Sequence, residues 1–192
     1  TCCTCLHFTE HDRINTTVLY SVKALKCFVI LDNGKLAFFY SFRIITWNIN
    51  FDDYYSRQKG AIQFRTADGS LKLLPLRDVS EFTDKPQDSV RSRQNWIGSI
   101  YYNIIKTQHK GKNYYTLFGF DNNSAQSSMK WIEVLSFNEK NEPVFGGPFF
   151  SFEKDSVPKP PKYRLGLEFK KGARVLVNYI EDLGMILVDH LI

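Results

Sequence analysis

Runs of β-branched and aromatic residues, cut at short intervals by Gly, Asn and Ser, confine this chain to strands more firmly than any other feature. The densest case is residues 96–145, which hold two of the three tryptophans and three predicted strands over 97–107, 113–121 and 130–138. The links between them, 108–112 with one Gly and 122–128, are short and polar, as hairpins of an antiparallel meander require. The chain is organised around this stretch.

Similar units flank it. Residues 27–31 and 35–40 stand either side of Asp32-Asn33-Gly34, and an Asn-Gly pair suits the type I′ turn, whose central residues both need positive φ. Residues 43–49 alternate with Ile45, Trp47 and Ile49 on one face. Residues 50–59 read as a polar loop, and 61–66 set Ile62 and Phe64 against Gln63 and Arg65. The Asp68-Gly69 turn leads into 71–74, where Pro75 ends the strand or marks a sheet edge. Near the C-terminus, 164–170 place Leu165, Leu167 and Phe169 opposite Arg164, Glu168 and Lys170. Lys171-Gly172 then turns the chain into 174–180, and residues 181–184 turn it again into 185–192.

The expected fold is therefore all-β. Antiparallel meanders of about three strands (27–76, 96–145 and 162–192) are joined by connectors 77–95 and 146–161, in an incomplete propeller-like, sandwich or barrel arrangement. Residues 16–192 form one domain at this length. One short helix is expected after a Thr16 or Thr17 cap, from Val18, Val22 and Leu25.

Residues 1–15 are irregular and Cys-rich. Cys2, Cys3, Cys5, His7 and His11 are the only cluster with metal-ligand chemistry, but they lack the two separated pairs of a zinc site, so no metal or other cofactor is expected. No cysteine follows Cys27, so a disulfide framework does not hold the domain together. The net charge of +5 is scattered, with 25 basic residues among 20 acidic ones, which argues against a nucleic-acid partner. No apolar run reaches the ~18 residues that would span a bilayer, and no signal peptide opens the chain.

A longer ordered set of residues carries a resemblance. It comprises Phe42-Arg43-Ile44-Ile45-Thr46-Trp47-Asn48, Gly60-Ala61-Ile62-Gln63, Asn95-Trp96-Ile97-Gly98 with Tyr101-Tyr102, and Tyr114-Tyr115-Thr116-Leu117-Phe118-Gly119-Phe120-Asp121. Val144-Phe145-Gly146-Gly147-Pro148 and Met185-Ile186-Leu187-Val188-Asp189-His190-Leu191 complete it. From about residue 28 or 42 onward the chain resembles an uncharacterised family of exported proteins of Bacteroidetes-type bacteria. The resemblance implies an exported protein, periplasmic or extracellular. It also implies a longer one, with a secretion signal before this sequence and a further segment after it. It carries no catalytic residues.

Two function classes remain. Tyr54, Tyr55, Trp96, Tyr101, Tyr115 and Trp131 would suit a glycan-stacking surface, since a flat ring with a polar edge buries area while its hydroxyl or indole N–H finds a partner. Core packing between layers is the competing placement, favoured where both faces of a strand are apolar. An apolar strand over 185–192 would suit addition of a protein partner's strand. The alternative is a hydrolase acting on an extracellular polymer, built from Asp52, Asp53 or Asp189 with His190 or His109. Adjacent residues of a strand face opposite ways, which separates Asp189 from His190, and no nucleophile elbow or phosphate loop is present. The expected role is binding or structural rather than catalytic.

Overall fold

The computed structural model describes residues 21–31 (backbone), 40–51, 55–66 and 68–189. It is a sandwich of two open antiparallel sheets. The first holds β1 (Ser21–Leu31), β2 (Tyr40–Asn50), β3 (Ser56–Arg65) and β4 (Leu71–Leu76), in that order. The second is built on β6 (Ile100–His109), β7 (Lys112–Asp121) and β8 (Ser127–Phe137). Short β5 (Arg91–Ser92) and β9 (Pro143–Phe145) extend it in the order β5-β9-β8-β7-β6. β10 (Arg164–Lys170) also pairs with β8, and β11 (Val177–Ile180) and β12 (Met185–Val188) form a separate hairpin. Helical structure among the described residues is limited to three single 3-10 turns, Ser80–Phe82, Pro86–Asp88 and Glu181–Leu183. None of them is long or apolar enough to cross a membrane.

Alternation decides the layers. On β2 the buried residues are Phe42, Ile44, Thr46 and Asn48, while Arg43, Ile45, Trp47 and Ile49 are half-buried. Phe42 and Ile44 meet Ile62 and Leu74 of their own sheet and Tyr101, Tyr115, Leu117, Leu135 and Phe145 of the other. Its rings meet edge-on, Phe42 lying 4.9 Å from both Tyr115 and Phe137. β7 is apolar on both faces because both are covered. Tyr115 and Leu117 point into the intersheet core, and Phe118 points into a second cluster with Ile132, Val175 and Val177, flanked by Leu165, Leu167 and Phe169. The segment after β10, with Val175, Val177 and Tyr179 against the second sheet, thus forms a partial third layer.

Four expectations are corrected. The backbone of Ser21–Leu31 is a strand where a helix was expected across 16–25, because pairing with β2 from Ser21↔Asn50 to Leu31↔Tyr40 outweighs a weak local helical signal. The strand expected over 43–49 is longer, running from Tyr40 to Asn50; the Asp32-Asn33-Gly34 turn and residues 35–39 of the strand expected over 35–40 lie outside the described residues. β3 starts at Ser56, inside the expected polar loop, since Asn50↔Ser56 continues the β2 ladder. Residues 162–192 are not a third meander. β9 occupies only Leu135–Phe137 of the β8 edge, and β10 fills Ser127–Glu133 beside it, leaving β11 and β12 to pair with each other. Pro75 sits in β4, the outer strand of its sheet, where a missing N–H is tolerated.

Candidate functional site

The predicted aromatic surface does not assemble. Trp96, Tyr101, Tyr115 and Trp131 are all buried in the core, so their ring faces pack between layers, the competing placement. Of the described members of the set, Tyr55 is the exposed one. Its ring lies 5.3 Å from that of Phe51, and its hydroxyl accepts a 2.5 Å hydrogen bond from Arg57 Nε. Arg57 also pairs with Glu81 at 3.4 Å. Tyr54 lies outside the described residues, as do Cys2, Cys3, Cys5, His7, His11, Asp52, Asp53 and His190. Asp189 Oδ2 accepts the Leu176 N–H at 2.6 Å, a bond that ties down the end of the hairpin, and His109 is exposed where β6 turns into β7. Among the described residues no group of three His, Cys, Asp or Glu side chains is placed to hold a metal.

A charged network occupies the core instead. Glu133 of β8 and Arg164 of β10 are direct cross-strand partners on the inner face, both essentially without solvent exposure. Arg164 Nε donates to Glu133 Oε2 at 3.0 Å, and the other carboxylate oxygen accepts the Tyr101 hydroxyl. That hydroxyl accepts the Trp96 indole N–H at 2.8 Å. Both terminal guanidinium nitrogens donate to carbonyls: Nη1 to Pro86 and to Ser89 (3.1 Å), and Nη2 to Phe145 (3.2 Å). One arginine therefore pins connector 77–95 and the end of β9 to β8. Burial, followed by the Glu133 carboxylate, pushes the Tyr101 hydroxyl well above its usual range, so it stays a neutral donor. Every member finds its partners inside the protein, which makes this a structural network. Sequence alternation sets Arg164 on the polar face of its strand with Glu168 and Lys170; the signal for its burial is Glu133, an acid in the middle of an apolar strand.

At one end the intersheet seam turns polar. Along β2 the inner face passes from Phe42 and Ile44 to Thr46 and Asn48, and Thr46 Oγ1 accepts the Tyr101 N–H at 3.1 Å. Asn48 faces Gln58, its register partner on β3, and Gln58 Nε2 crosses to Asp121 Oδ1 on β7 at 2.5 Å. Asp121 Oδ1 also takes the Asn123 N–H at 3.1 Å. Burial is the main cause of a rise in the Asp121 carboxyl pKa to about 6, with the nearby Asp78 carboxylate adding to it. Asn48 is 5% exposed; its Nδ2 donates to Asn50 Oδ1 at 2.8 Å, and its Oδ1 has no hydrogen-bond partner among the described residues.

On the surface, one feature stands apart. The β11–β12 hairpin is held to the second sheet through β11, where the Tyr102 hydroxyl donates to the Val177 carbonyl at 2.7 Å and Asn103 Nδ2 to Asn178 Oδ1 at 2.7 Å. β12 faces outward. Met185, Ile186, Leu187 and Val188 are each between 38% and 60% exposed, beside an exposed Leu183. No family model, curated protein or solved structure matches the chain.

Proposed function

We propose that this chain is a non-enzymatic β-sandwich domain of an exported protein, and that it works by accepting an extended segment of a protein partner along β12. One observation carries the reading: β12 is a wholly apolar, uncharged outer strand with every side chain open to solvent. Outer strands template pairing with other chains, and proteins blunt them with lysine, proline or a bulge. The outer strands of the large sheets show those devices. β1 carries register shifts at Val22/Leu25 and Ile30/Leu31, β4 contains Lys72 and Pro75, and β6 contains Lys106 and a register shift between Tyr101 and Asn103. β12 has none of them.

The chemistry of the occupant follows. Main-chain hydrogen bonds supply affinity whatever the sequence, and side chains opposite Met-Ile-Leu-Val must be uncharged and apolar, since a charge there would lose water without gaining a partner. Extracytoplasmic placement rests on the resemblance to exported proteins.

The test uses the isotope-labelled chain, titrated with an uncharged Val/Thr-rich peptide and with the same peptide carrying a central proline. The expected result is that the first peptide shifts and protects the backbone amides of Met185–Val188, that the proline version does not, and that Leu187→Lys abolishes the effect. Sedimentation of the free chain runs alongside; a dimer that Leu187→Lys dissolves identifies the partner segment as a second copy. The absence of both peptide binding and self-association at β12 overturns the reading.

A further inference from the structure

The polar end of the intersheet seam holds a buried carboxyl group, Asp121, and an orphan acceptor, Asn48 Oδ1. Gln58 Nε2 to Asp121 Oδ1 is a side-chain hydrogen bond that crosses directly from one sheet to the other. Both described donors to this carboxylate, Gln58 Nε2 and Asn123 N, go to Oδ1, which leaves Oδ2 to carry a proton. Beside Gln58, on the adjacent strand and the same buried face, Asn48 presents Oδ1 with no donor among the described residues. A buried amide oxygen without a partner carries a desolvation cost that a new donor would remove. The neutral form of Asp121 supplies such a donor; the ionised form has none.

We propose that Asp121 is a proton-operated clasp between the two sheets: neutral, it holds Gln58 through Oδ1 and offers Oδ2–H to Asn48 Oδ1; ionised, it keeps only the first bond and loosens this end of the sandwich. The charged groups that face it act in opposite senses. Asp78, fixed by the Ser80 and Gly98 N–H groups at 2.9 Å each, disfavours the ionised form. Lys171 favours it weakly, since its ammonium is already taken up by the Asn122 and Ser124 carbonyls at 3.0 Å. Burial outweighs Lys171, and the carboxyl pKa rises from 3.8 to about 6. A carboxyl that binds its proton more tightly when folded gives stability that is complete below pH ~4 and lost as the pH rises through about 6.

The test begins with the unmodified chain. Carbon-13 shifts of the Asp121 carboxyl and the Asn48 side-chain amide are followed from pH 4 to pH 8. Both are expected to titrate together with a midpoint near 6, while amide exchange at this end of the seam, corrected for its intrinsic pH dependence, rises on the order of 100-fold, the equivalent of the two-unit displacement. In Asp121→Asn, which cannot ionise, the Asn48 titration and the pH dependence of exchange should vanish. In Asn48→Leu the Asp121 midpoint should fall. An Asp121 midpoint near 4, or an Asn48 amide indifferent to pH, overturns the proposal.

Discussion

At the scale of single residues, the energetics concentrate where charge is buried. Glu133 and Arg164 have given up hydration on both sides, so their pairing offsets a cost rather than adding a surplus. Removing one partner strands the other. Arg164→Met should therefore lower stability by ~3–5 kcal/mol, read as a fall in the urea midpoint. The pair Glu133→Leu with Arg164→Met should lose less than the two single changes summed, because no uncompensated charge remains. Gly146 belongs to the same network. Its φ of +82° favours glycine, and a Cβ there would stand 2.8 Å from Arg164 Nη2 and 3.0 Å from the Tyr163 carbonyl. Gly146→Ala is thus expected to cost more than the ~1–2 kcal/mol of a left-handed residue alone. Asp121 differs from this pair in having no cation seated on it, so its response to pH runs opposite to that of most acid-titrating carboxylates.

At the scale of elements, the hairpins were the part most open to reading from sequence. The central strands observed at Ile100–His109, Lys112–Asp121 and Ser127–Phe137 fall within a few residues of the expected ones, because their apolar runs and polar breaks are locally complete. The β6–β7 turn shows why. Lys110 and Gly111 have φ of +48° and +76°, so both central positions of this two-residue turn are left-handed. Asn tolerates that conformation better than Lys, so Lys110→Asn should raise the melting temperature by a few degrees, about 0.5–1 kcal/mol, with the apolar core untouched. Long-range choices were not legible. Nothing local in Arg164–Lys170 says that it pairs with β8, 31 to 43 residues back, and nothing in Ser21–Leu31 announces a partner beyond residue 39. The aromatic site failed for the same reason. Trp96, Tyr101, Tyr115 and Trp131 suit a stacking surface or a core equally well until their surroundings are known: the first three pack with Phe42, Ile44 and Ile62 of a different sheet, and Trp131 lies against Gly166 of β10. β12 was readable as an apolar strand, but its exposure follows from β10 having left the meander for the edge of β8.

At the scale of the whole molecule, the two sheets have little independent means of support. Neither closes on itself, and the first sheet's fully buried apolar face consists of residues whose partners belong to the second. Connector 77–95 adds a second tie. The Arg77 N–H donates to the Arg93 carbonyl at 2.7 Å and the Trp96 N–H to the Arg77 carbonyl at 3.0 Å, while Arg164 holds the stretch between from the other side. Such interdependence predicts one cooperative transition, not two. The tryptophans make it measurable, since Trp47 lies in the first sheet, Trp131 in the second and Trp96 in the seam. Single-tryptophan variants reporting from each position should unfold in urea with a common midpoint. Phe42→Ala, which empties a site bordered by Tyr115 and Phe137 from across the seam, should lower that midpoint by the equivalent of ~3–5 kcal/mol at all three positions together. A Trp47 signal that shifts while Trp131 stays put would mean that the second sheet stands alone, and that the buried seam joins two units able to part.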